Sequence, residues 1–144
     1  MYKRILVPTD GSERSVKAVE GAARFAKPLG AHLVVMTVVE PYSSTNLPEY
    51  RPESIEQYDE RVTGEAEERL AAAKEFAEDL GVDCDTVLVK SFSPADAIIE
   101  QCDKHDCDLV FMASHGRKGI AAVLLGSETQ KVLTHSKIPV MVYR

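Results

Sequence analysis

No stretch of the sequence approaches the roughly 18 consecutive apolar residues that a membrane-crossing helix requires, so a helical membrane partner is not expected. Lys3 and Arg4 precede a short apolar run over residues 5–8, but Asp10 ends it well short of a signal-peptide core, and the expected location is the cytoplasm. Cysteine is scarce. Cys84, Cys102 and Cys107 contain no C-x-x-C pair, which argues against a disulfide framework and favours reduced thiols. Positive charge is also short: the net charge is −6, and duplex nucleic acid is bound by clustered lysine and arginine. A small anionic ligand needs only a local cation, which Arg117 and Lys118 supply.

What is present is an alternation of two hydrophobic periods. Residues 3–8, 32–39, 84–89, 109–112 and 138–143 are short apolar runs rich in Val, Ile and Leu, each bounded by polar residues or proline, and read as buried strands. Between them lie segments of helical period. Ser12 is placed to cap a helix whose apolar stripe runs through Val16, Val19, Ala22, Ala23 and Ala26 to Leu29, with Gly30 closing it. Residues 54–80 carry Ile55, Tyr58, Val62, Ala66, Leu70, Ala73 and Ala77 three or four apart, and Gly81 follows. Ser93-Pro94-Ala95-Asp96 is a helix start with proline in the first turn. The result is β-α-β-α-β-α-β-α-β, a single α/β domain over residues 1–144: an open parallel five-stranded sheet with right-handed crossovers and helices on both faces. Residues 42–52 show no periodicity and read as a loop, with Tyr42 or Tyr50 available as a lid over the strand ends.

The chemistry concentrates after the fourth strand. There Gly116 and Gly119 free the backbone, Arg117 and Lys118 add charge, and Gly126-Ser127 opens a new helix that Ser127 is placed to cap. A helix start presents unpaired N–H groups and partial positive charge, which together suit phosphate. The same letters also serve a plain strand-to-helix crossover. Named alternatives fail on spelling. There is no Gly-Lys-Ser/Thr ending, no G-x-G-x-x-G after the first strand, no G-x-S-x-G elbow and no H-E-x-x-H helix. The cluster Cys102-Asp103-Lys104-His105-Asp106-Cys107 has soft ligands at short spacing, but no second cluster completes a four-ligand zinc site, and Cys107 is expected to face the core. His115 reads as a loop residue, since no nucleophile with an orienting acid can be set beside it. Asp10 reads either as a turn residue at a strand end or, at the carboxyl end of a parallel strand, as a partner for ribose or for a phosphate-bound divalent ion.

The spacing Ala113, Gly116, Gly126, Ser127 resembles the G-x2-G-x9-G-[ST] motif of the ATP-binding branch of the universal stress protein family, with alanine in place of the first glycine. The resemblance covers nearly the whole chain. It implies strand order 3-2-1-4-5, a Rossmann-like adenine-nucleotide site, and ATP, with magnesium, as the cofactor. It further implies that Pro8, Thr9 and Asp10 lie against the nucleotide and that the backbone near Val38 meets adenine. The motif segment, Met112, Ala113, Gly116, Arg117, Gly126, Ser127, Glu128 and Thr129, would line the nucleotide, with Gly116, Gly126, Ser127 and Thr129 enclosing the phosphates. Asp10 would be the metal contact. Family members commonly dimerise through the last strand, and the apolar edge of Ile138, Val140 and Val142 up to Tyr143 is compatible with a homodimer. No catalytic residue is assignable. Nucleotide-dependent stress signalling is therefore expected, against a nucleotide-free interaction module of the same fold or a slow ATP-hydrolysing enzyme.

Overall fold

The computed structural model describes residues 1–43, 53–115 and 125–144. Nine elements alternate along the chain: β1 (Arg4–Pro8), α1 (Glu13–Leu29), β2 (His32–Val39), α2 (Ile55–Asp79), β3 (Cys84–Lys90), α3 (Pro94–Lys104), β4 (Leu109–Ala113), α4 (Ser127–His135) and β5 (Val140–Tyr143). The strands form one sheet in order β3-β2-β1-β4-β5, and every pair is parallel. This is the α/β architecture expected from the alternating periods. The apparent exceptions to hydrophobic alternation are explained by it, because strands covered on both faces need apolar side chains at every position.

The two faces separate by residue parity. Ile5 and Val7, Leu33 and Val35, and Leu109, Phe111 and Ala113 pack under α1 and α2. Leu6, Val34, Met36, Val110 and Met112 pack under α3 and α4. Helix α1 meets its face with Ala18, Val19, Ala22, Ala23 and Ala26, small residues that let the backbone lie close to the sheet. Val16 and Leu29, read as part of that stripe, are 44% and 40% exposed. Val16 stands beside the buried line of Ser15, Ala18, Val19, Ala22, Ala23 and Ala26, and Leu29 is the last residue of the helix. Ile55, the first residue of α2, is exposed as well.

Serine side chains cap three helices. Ser12 accepts from Ser15 N–H, Ser93 from Asp96 N–H, and Ser54 forms a reciprocal capping box with Gln57. Gly30 closes α1 with φ of +63°, a conformation that costs a side-chain-bearing residue steric energy. Helix α4 departs from expectation. Its N-cap is Gly126, Ser127 is already the first helical residue, and no side chain caps it. A capping hydroxyl must precede the first turn to reach the next N–H groups, so Ser127 stands one residue too late. The last strand also starts later than the apolar run, at Val140. Ser136 Oγ donates to Ile138 O (2.7 Å) and accepts from Ile138 N–H (3.2 Å), tying Ile138 into a turn before the sheet.

Candidate nucleotide site

The sheet reverses its winding between β1 and β4, and in open α/β sheets ligands bind outside the carboxyl ends of strands at such a point. Here the sequence widens that point. Arg4 O accepts from Asp108 N–H, so even-numbered residues of β1 face β4. Pro8 is the residue that should donate the next rung, and it has no N–H. The β1–β4 ladder accordingly has only Ile5↔Leu109 and Leu6↔Val110 in register, although both strands continue. On its other side β1 stays paired with β2 through Pro8↔Met36, and Thr9 N–H donates to Met36 O at 2.8 Å.

Beyond β1 the backbone is tied into a turn. Ser12 N–H donates to Asp10 Oδ1 at 2.9 Å, an Asx turn that fixes the carboxylate at the start of α1. Thr9 Oγ1 and Ser15 Oγ lie 3.0 Å apart, and Asp10 N–H donates to Ser15 Oγ at 3.3 Å. Thr37 Oγ1 donates to Thr9 O at 2.7 Å and accepts from Arg69 Nη1 at 2.9 Å. This diversion has a consequence for Val38. His32 N–H donates to Lys3 O, so even residues of β2 face β1, and Val38 would next bond Thr9 O. The Thr37 hydroxyl holds that oxygen instead, and among the described residues no backbone bond from the β1 side reaches Val38. Its peptide edge therefore looks past the end of β1, while its partner in β3 is Val89.

On the opposite wall, Ala113 ends β4 and its methyl is packed into the α1-side core. Its carbonyl accepts from Thr129 Oγ1 at 3.1 Å, and Ser114 O accepts from Gly126 N–H at 2.8 Å. These two bonds dock the start of α4 against the end of β4. Gln130 N–H is the first to bond within the helix, to Gly126 O, which leaves the N–H groups of Ser127, Glu128 and Thr129, the helix's first turn, without a bond among the described residues. Glu128 directs its carboxylate away from them, accepting from Ala95 N–H at 2.9 Å and from Lys131 Nζ at 3.3 Å. It serves the start of α3, so only its backbone remains for a ligand of α4.

The structure thus gathers Pro8, Thr9, Asp10, Val38, Met112, Ala113, Gly126, Ser127, Glu128 and Thr129 around the carboxyl ends of β1, β2 and β4 and the start of α4. Gly116, Arg117, Lys118, Gly119 and Tyr50 lie outside the described residues. Tyr42 packs edge-on against Tyr58 of α2 with ring centroids 5.6 Å apart. Two residues at this end of the sheet carry contacts that sequence reasoning missed. His115 is 5% exposed, and its Nδ1 lies 2.7 Å from Arg14 Nη1 and 3.0 Å from Ser114 Oγ. Arg14 and His115 are 101 residues apart, and no local pattern announces such a pair.

The three thiols are elsewhere. Cys84, Cys102 and Cys107 are buried in the two cores, and desolvation raises them from an ordinary 9.0 to about 11, 12 and 11 respectively. Among the described residues no helix is long and apolar enough to cross a membrane.

The profile of the universal stress protein family matches residues 1–144. Universal stress protein MJ0531 of Methanocaldococcus jannaschii is 33% identical over 144 residues, covering 100% of this chain and 83% of that protein. Among solved structures, protein MJ0577 of the same organism superposes with a TM-score of 0.83 at 27% identity, covering 99% of this chain and 95% of that one. A universal stress protein in complex with cAMP superposes with a TM-score of 0.74 at 29% identity, covering 99% of this chain and 97% of that one. With sheet order, chain coverage and family profile in agreement, this chain belongs to the universal stress protein family.

Proposed function

We propose that the protein binds ATP with magnesium across the carboxyl ends of β1 and β4 and acts in the cytoplasm as a nucleotide-dependent stress-response dimer. The observation that carries this reading is the bare start of α4. Three helices of the same chain are capped by serine, whereas α4 begins at a glycine beside the strand ends, with its first N–H groups unbonded. Phosphate oxygens satisfy those donors and the helix dipole together. In this reading adenine meets the peptide edge of Val38, Asp10 meets ribose or the metal, and Ser127, Glu128 and Thr129 offer backbone to the phosphates. Gly116 and Arg117 would complete the phosphate enclosure, and magnesium would neutralise phosphate charge beside Asp10. The alanine that departs from the family motif is compatible with binding, since the methyl of Ala113 lies in the core. The cAMP complex of a 29% identical family member supports adenine-nucleotide chemistry.

The test is to denature purified protein, identify any released nucleotide by chromatography, and titrate nucleotide-free protein with ATP and magnesium by calorimetry. Bound ATP or micromolar affinity is expected. Gly126→Asp sharpens the result. Gly126 has φ −69° and ψ 156°, an N-cap conformation that aspartate adopts well, so the new carboxylate caps α4 and occupies the anion position. The variant should be about as stable as the wild type or more stable by roughly a few tenths of a kcal/mol, while ATP affinity collapses. Wild-type protein that releases no nucleotide and gives no heat would overturn the reading and leave an interaction module of the same fold.

A further inference from the structure

We propose that Arg14 is the residue that reads nucleotide phosphate number at this site, giving it a preference for nucleoside triphosphate over monophosphate. The inference rests on the nucleotide-binding reading above. Arg14 stands in the first turn of α1, on the β1 side of the crevice, and its guanidinium reaches His115 on the β4 side. A guanidinium has donors and no acceptor, so Arg14 donates and His115 Nδ1 accepts. The neighbouring Ser114 Oγ, 3.0 Å from the same nitrogen, is placed to donate as well, and the ring proton then sits on Nε2. Ser114 in turn accepts Gly126 N–H through its carbonyl. One chain of hydrogen bonds therefore links the guanidinium to the uncapped start of α4.

The charge of Arg14 is held there without being neutralised. Among the described residues no carboxylate lies within ion-pair distance of it. Its neighbour Glu13 pairs with Lys17 at 3.2 Å instead. Its anchor is an imidazole nitrogen acting as an acceptor, buried at the end of β4. The guanidinium keeps its other N–H donors, in the planar fork that matches phosphate oxygens. The start of α4 supplies donors for one phosphate, and Arg14, reaching from the first turn of α1 to the end of β4, supplies donors for another. A monophosphate satisfies only one of the two, while a triphosphate spans both.

The test compares ATP and AMP binding in the full-length chain by calorimetry at fixed salt. Arg14→Gln keeps a donor for His115 and removes the charge. It should raise the ATP dissociation constant by about tenfold or more while AMP changes by less than about twofold. Arg14→Lys should recover part of the ATP affinity. Lys17→Gln, which removes the same charge from the same helix, should alter neither ligand, and thermal melting of all three should match the wild type because both side chains are exposed. An unchanged ATP constant in Arg14→Gln, or an equal loss for ATP and AMP, overturns the assignment while leaving nucleotide binding standing. Wild-type protein that binds neither nucleotide overturns both.

Discussion

Thr37 is 1% exposed and joins three things: its hydroxyl donates to Thr9 O, accepts from Arg69 Nη1, and by taking Thr9 O prevents the next β1–β2 rung. Thr37→Val preserves shape but strands the carbonyl and removes an acceptor from a cation. A loss of about 1–3 kcal/mol is expected in urea unfolding, together with weaker ATP binding if Val38 recovers the rung to Thr9. A loss near zero would mean that Thr9 O finds water instead. The thiols give a second residue-scale prediction. Each is neutral in the fold and raised well above 9.0, so the fold gains from keeping it protonated. That contribution is whole below pH 9 and drains as pH climbs from 9 to the folded values near 11 and 12, because in that window the unfolded chain ionises and the folded one does not. Ellman titration of native protein near neutral pH should therefore detect almost no thiol, and denatured protein should show three. Rapid native labelling would show that the cores open readily.

At the scale of elements, the packing of α1 against β5 depends on Gly21. A Cβ there would overlap Cε1 of Tyr143 and come within 2.8 Å of its Cζ. Tyr143 is not idle, since its ring packs edge-on against Phe111 with centroids 5.3 Å apart. Gly21→Ala gains helix propensity of roughly 1 kcal/mol but displaces this ring, and overpacking typically costs about 1–3 kcal/mol. A small net destabilisation is expected, and it should reverse to a gain in a Tyr143→Ala background. Equal effects in the two backgrounds would show that Tyr143 simply rotates away. Such a contact was invisible in sequence. Nothing local to Gly21 announces it, and only the return of the chain after β4 lays Tyr143 over the glycine. The β1–β4 crevice is different in kind, because Pro8 carries its cause in its own covalent structure.

At the scale of the whole molecule, the two sheet edges differ in character. The β3 edge exposes Asp85, Thr86 and Lys90, charges and polar groups that discourage a further strand. The β5 edge is Val140, Met141, Val142 and Tyr143, without a charge and, among the described residues, paired on one side only, by β4. A two-fold contact along β5 follows from this contrast as a proposal. Sedimentation should find a dimer, and Val142→Lys should shift it to monomer without lowering secondary structure. A wild-type monomer at micromolar concentration would remove the dimer from the functional reading.

The sequence by itself determined the elements and the class of fold. Five apolar runs and four helical periods leave little choice but a parallel sheet covered on both faces, and serine or glycine at Ser12, Gly30, Ser54, Ser93 and Gly126 marks helix ends through local geometry alone. It also marked the two ends of the proposed site, Pro8-Thr9-Asp10 and Gly126-Ser127, through backbone chemistry that neighbours in sequence define. Tertiary structure alone decided the rest. It sent the Ala113 methyl into the core and turned the Glu128 carboxylate to the start of α3. It also left the Val38 peptide edge past the last rung and joined Arg14 to His115 across the strand ends. Each of those outcomes depends on which strand lies beside which, a long-range choice that local pattern does not contain.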